Sequence, residues 1–191
     1  MSKAVFYFHG FMSSADSSKA QVFKKFIKSK KDSIDIYIPN ILDKFTEAIP
    51  QLDNLIDNTN AKEKFFIGSS LGGFFATHYA EQLNAKAVVI NPAINPSEGL
   101  KMYLGVNENY SSGEKFVLTD EDIKAIKKLE MQNLKNPKDY LLLCETKDEV
   151  LNYLNAVSFY SSSYQDISYG GDHSYSCFPH KLGIIDKFLN L

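Results

Sequence analysis

The chain of 191 residues contains no arginine and no tryptophan, and only two cysteines and six prolines. Each scarcity removes a class of explanation. Without arginine there is no planar guanidinium fork for gripping carboxylates or phosphates, so lysine or backbone N–H groups must hold any anion. A formal charge of −2 offers no electrostatic footprint for nucleic acid or an acidic membrane. Cys144 and Cys177 have no metal-ligand spacing, and Cys144 sits in an apolar run as an inert core thiol would. No apolar run approaches the ~20 residues needed to span a bilayer, and the start of the chain lacks the order of a signal peptide. A cytoplasmic protein with no nucleic-acid partner and no transmembrane segment is the expectation; the oligomeric state is not encoded in these features.

What is present is an ordinary globular balance, 44% apolar and 23% charged, in a length that suits one domain. Short apolar runs alternate with segments of helical period, the pattern of βα units around a parallel sheet. Six strands are predicted: 4–8, 34–38, 65–68, 87–91, 140–144 and 164–168. Their continuous apolar character suits strands covered on both faces by helices. Helices are predicted over 17–30, 46–58, 71–83, from an N-cap at Thr119 to 129, over 149–157, and over 179–189. Pro50 is tolerable only near a first turn. The lysines 24, 25, 28, 30 and 31 read as a solvated helix face. From 92 to about 118 the sequence is rich in Asn, Gly, Ser and Tyr without a period, as a lid or an irregular surface insertion would be.

The chemistry concentrates in three stretches. Gly68-Ser69-Ser70-Leu71-Gly72 follows a strand candidate and opens a helix candidate. Small residues on either side of Ser70 permit a sharp turn that projects its hydroxyl above the sheet, so Ser70 is the candidate nucleophile with Gly68 and Gly72 as elbow glycines. A developing oxyanion needs two backbone donors. Leu71 supplies one, and the other is assigned to Phe11 in His9-Gly10-Phe11-Met12, with Met12 as the alternative. His9 reads as a residue that shapes this loop. His173, in Gly171-Asp172-His173 after the last strand, is the candidate base, because loops after parallel strands emerge at one edge. His78 and His180 fall inside helical patterns and read as surface or packing residues. Asp148, after the strand 140–144, is the candidate orienting carboxylate. It also reads as an N-cap, and Glu145 and Glu149 are its rivals. Asp172 is adjacent to His173 in sequence and badly placed to reach the ring. The order Ser70, Asp148, His173 is the α/β-hydrolase order.

Together, the segments His9–Ser14, Gly68–Gly73, Asn91-Pro92-Ala93, Asp148-Glu149-Val150 and Gly171-Asp172-His173 resemble the YqiA-type small bacterial esterases over nearly the whole chain. The resemblance implies a minimal α/β-hydrolase fold and cleavage of small-molecule carboxylic esters, with acyl-CoA thioesters as the alternative substrate. It gives the triad roles to Ser70, Asp148 and His173 and calls for no metal or organic cofactor. Lys147 departs from it, standing where such proteins often have Gly before the acid. A catalytically weak, hydrolase-like binding protein is the competing class. Phe11, Phe74 and Tyr175 are the candidates for an apolar acyl wall.

Overall fold

A computed structural model describes residues 2–30 and 34–191. Six parallel strands form one sheet: β1 (Lys3–Phe8), β2 (Ile34–Tyr37), β3 (Glu63–Ser69), β4 (Ala87–Ile90), β7 (Tyr140–Glu145) and β8 (Tyr164–Ser168). Their order across the sheet is β2-β1-β3-β4-β7-β8. The chain moves outward from β1 to β2, then returns to place β3 on the other side of β1. That reversal opens a crevice beyond the carboxyl ends of β1 and β3, the usual place for a site in an open α/β sheet.

The apolar runs are continuous because both faces are covered. Along β1, Ala4, Phe6 and Phe8 enter one core with α2 (Phe45–Asp57), α3 (Leu71–Leu83), α5 (Asp120–Lys127) and α6 (Tyr153–Phe159). Val5 and Tyr7 enter the other, with α1 (Ser18–Lys28) and α7 (Leu182–Leu189). Alternate residues of each strand thus face opposite layers, and both layers are apolar. The predicted strands match those observed to within two residues at their ends.

The helices differ from expectation in informative ways. Helix α3 carries a predicted stripe of Leu71, Phe75, Tyr79 and Leu83, yet it is buried over most of its circumference, whereas Leu83 at its end is 44% exposed. Pro50 lies in the second turn of α2, beyond the first turn where its missing N–H is harmless. Helix α5 begins as expected: the Thr119 hydroxyl accepts from the Asp122 N–H, and the Asp122 carboxylate accepts from the Thr119 N–H. The expected start of a helix at 149 is incorrect, since α6 begins at Tyr153 with Asn152 as its cap. The helix predicted over 179–189 begins as a 3-10 turn, Phe178–Lys181, before α7. Lys25 and Lys28 are exposed on α1 and Lys30 pairs with Asp186, while Lys31 lies outside the described residues.

The stretch after β4 is organised. It holds a short helix α4 (Ser97–Leu100), a 3-10 turn (Lys101–Tyr103) and an antiparallel hairpin of β5 (Gly105–Glu108) and β6 (Lys115–Leu118). The tip of the hairpin is tied to the loops after β1 and β2. The Tyr110 N–H donates to the Met12 carbonyl at 3.2 Å, and the Asn109 amide donates to Asp43 at 2.8 Å. Among the described residues, no helix is long and apolar enough to cross a membrane.

Candidate active site

Ser70 stands at the turn between β3 and α3 with φ 56° and ψ −123°, a backbone conformation that L residues rarely adopt. Sterics force it there. A Cβ at Gly68 would overlap the Gly72 carbonyl, and one at Gly72 would overlap the carbonyls of Phe8 and His9. Only glycine at these two positions lets the helix start against the strand ends. Gly73 packs beside Pro92, where a Cβ would come within 2.8 Å of the ring. The register of β1 with β3 runs from Lys3 opposite Glu63 to Phe8 opposite Gly68, which sets Gly10 abreast of Ser70 two residues on. A Cβ at Gly10 would lie 3.3 Å from the Ser70 Cβ, so this glycine admits the β1 loop to the hydroxyl.

That loop is fixed from three sides. His9 is buried; its Nδ1 lies 2.8 Å from the Gly10 carbonyl and its Nε2 accepts from the Ile41 N–H at 2.9 Å. Accepting at Nε2 assigns the proton to Nδ1, and burial lowers the ring's pKa against the pull of the Gly10 carbonyl. The ring is fully used in holding the loop. Phe11 is clamped by the rings of Phe45, Tyr103 and Phe116, with centroids 5.4–5.9 Å away. The Met12 carbonyl accepts from the Tyr110 N–H of the hairpin tip. Among the described residues, the N–H groups of Phe11 and Leu71 donate to no protein acceptor.

His173 and Asp148 are joined. The imidazole Nδ1 lies 2.8 and 2.9 Å from the two Asp148 carboxylate oxygens. The Asp148 side chain is 1% exposed and that of His173 21%. The carboxylate also accepts from the Val150 and Leu151 N–H groups at 2.9 and 2.8 Å. Burial works to raise its pKa, but the hydrogen bonds from His173, Leu151 and Val150 outweigh it and hold the group below its ordinary value. An ionised carboxylate only accepts, so Nδ1 carries a proton and Nε2 is left as the ring's free acceptor.

The rival acids hold the backbone of the histidine loop. Glu145, 3% exposed, accepts from the Asp172 N–H at 2.8 Å and leaves no room for a Cβ at Gly171, whose φ is 73°. Glu149 accepts from the His173 N–H at 3.0 Å. Asn91, at the end of β4, completes the brace. Its side-chain oxygen accepts from the Glu145 N–H at 3.0 Å, and its amide donates to the carbonyls of Asp172 and His173 at 3.0 and 3.3 Å. Sequence reasoning gave Asn91 no role of its own; its position just past an apolar strand, before Pro92, is the available signal.

Ser70, Leu71, Phe11 and His173 all line one cavity of about 910 Å³. Among the described residues no hydrogen bond joins the Ser70 hydroxyl to the His173 ring. Tyr175 lines the cavity, whereas Phe74 lies in the core of the α3 layer instead. His78 and His180 are outside the cavity lining. Among the described residues no group of three potential ligands is arranged for a metal ion. The Cys144 thiol is buried in the core, and that burial pushes its pKa up to about 12.

The same fold recurs in distant proteins. A putative hydrolase from Agrobacterium vitis S4 superposes with a TM-score of 0.77 at 14% identity, over 98% of this chain and 88% of that one. Mouse alpha/beta hydrolase domain-containing protein 10 gives 0.72 at 17% identity, over 98% and 89%. A monoacylglycerol lipase from Paleococcus ferrophilus gives 0.67 at 15% identity, over 98% and 94%. The architecture is that of the α/β hydrolases. The family pattern described as an uncharacterised protein family, UPF0227, matches residues 4–190, and the chain belongs to this YqiA-type family.

Proposed function

We propose that this chain is a serine hydrolase of small carboxylic esters, working through an acyl-enzyme on Ser70. The observation that carries the reading is a strained serine and an Asp148-bound imidazole opening onto the same cavity. In this reading His173 Nε2 takes the Ser70 proton as the hydroxyl oxygen attacks the ester carbonyl. The carbonyl oxygen gains negative charge, and the N–H groups of Leu71 and Phe11 receive it; each such donor is worth about 3 kcal/mol in the transition state. His173, now protonated and stabilised by Asp148, gives its proton to the departing alcohol. Water activated by the same ring then releases the acid and restores the serine. No step calls on a metal or an organic cofactor. A thiol is accommodated by the same steps as a leaving group. Hydrogen bonds of the serine–histidine kind tighten when substrate fills the site.

The reading is supported by the role of His9, whose two ring nitrogens are both occupied and which therefore competes poorly as a base. The apolar side of the cavity, formed by Leu71, Leu100, Met102 and Tyr103, suits a short or medium acyl chain. In this reading the 92–118 segment walls the acyl side and steadies the Phe11 loop.

The test is hydrolysis of 4-nitrophenyl esters of graded acyl length by the wild type and by Ser70→Ala. Turnover that falls to the background rate in Ser70→Ala, with an unchanged melting profile, supports the assignment. Turnover that survives the substitution contradicts it.

A further inference from the structure

The part of the cavity lined by the residues after His173 is polar, and none of these steps uses this recess. Tyr7 at the end of β1, Lys19 in the first turn of α1, and Ser174, Tyr175 and Ser176 after the histidine form its wall. Among the described residues Lys19 is the one lysine or carboxylate side chain that lines the cavity. Its ammonium donates to the Ser174 carbonyl at 2.6 Å and enters no ion pair among the described residues. An ammonium has three donors, so two are left for the recess. Burial lowers the lysine's pKa, and the negative charges of Asp172 and Glu145 oppose that from behind the wall. They favour the protonated form without filling its donors.

A cation with spare donors on the cavity wall matches an oxygen-rich anion.

We propose that this recess binds a carboxylate or phosphate carried on the alcohol side of the ester. The side follows from the chemistry. The base must return its proton to the departing oxygen, so the alcohol lies against His173, and Lys19 is fastened to the next residue along. The acyl chain then runs the opposite way, toward Leu100 and Met102. The inference rests on the ester-hydrolase reading and narrows its substrate class to esters of anionic alcohols.

The experiment compares three butyrate esters on the full chain: benzyl butyrate, its meta-carboxylate analogue and its meta-phosphate analogue. The methylene insulates the leaving oxygen, so intrinsic reactivity stays matched. The expected result is a kcat/KM about tenfold higher for at least one anionic ester than for the neutral one, the size of a charge-assisted hydrogen bond. Whichever anion gains more identifies the source. In Lys19→Met the anionic-to-neutral ratio falls to about one, and in Lys19→Arg part of it remains. Because the readout is a ratio within each variant, a general loss of activity does not mimic the effect, and Lys19→Arg carries the test if Lys19→Met misfolds. Neutral turnover with no anionic preference, or a preference that survives Lys19→Met, overturns the recess and leaves the hydrolase reading standing. Failure of all three esters, together with no labelling of Ser70 by a fluorophosphonate, overturns both.

Discussion

The two halves of the candidate site are held by different forces. The Ser70 turn is a steric construction: glycines at 68 and 72 bring backbone against backbone, and the serine is left in a left-handed conformation. The His173 loop is a polar construction, hung from Asn91, Glu145, Glu149 and Asp148, which arrive from β4, from the end of β7 and from the turn beyond it. A steric turn tolerates almost no added volume. A polar brace shares its load among several hydrogen bonds, so losing one member loosens it by degrees. Rigidity at the serine and graded adjustability at the histidine are the consequence.

Variants can break this contrast at either end. Asp148→Asn keeps the shape but reverses the hydrogen-bond chemistry facing Nδ1, and turnover is expected to fall by about 10⁴-fold in steady-state assays. The same variant checks the electrostatics. The Asp148 pKa is depressed in the folded state, so its stabilising contribution is present above the ordinary value of 3.8 and is lost as pH falls through the lower folded value. The stability gap between wild type and Asp148→Asn, read by urea denaturation, should therefore narrow as pH drops below 3.8. An unchanged gap would contradict an ionised, hydrogen-bonded carboxylate.

Gly72→Ala tests the steric half. A methyl group there meets the carbonyls of Phe8 and His9 at the end of β1, and overpacking against backbone is expected to cost about 3 kcal/mol in the same denaturation experiment. Asn91→Ala removes one strut of the polar half, leaving the Glu145 N–H buried without its acceptor. The expected loss is about 2 kcal/mol of stability. Displacement of the histidine should also slow turnover by about a hundredfold. Glu149→Gln is the mildest. An amide oxygen still accepts from the His173 N–H at an exposed site, so stability should shift by no more than about 0.5 kcal/mol. If Glu149→Gln proved as damaging as Asn91→Ala, the load would be carried at the surface and the contrast would be wrong.

The same division decides what could be read from the sequence. The four central strands were legible because both faces are buried, and the Ser70 turn was legible because its two glycines and its serine stand within five consecutive residues. The brace was not, because Asn91 meets partners 54 and 81 positions away through side-chain groups that leave no local pattern. The misplaced start of α6 has a chemical cause. Asp148 accepts from the N–H groups two and three residues on, as a helix cap does, but the chain turns back without continuing into a helix. The hairpin of β5 and β6 was hidden for another reason: its strands are four residues each and largely outside the core, so they carry no apolar run. Glu145 entered as a rival orienting acid, and its observed place under Gly171 follows from burial and register that no short motif encodes.

A Ser70 activated by the Asp148-bound ring of His173 would be open to covalent trapping. A fluorophosphonate reacted with the folded chain, followed by peptide mass spectrometry, tests it most directly. One adduct per chain on Ser70 is expected, formed far more slowly in His173→Ala. An adduct on another residue, or none on the folded protein, would contradict it.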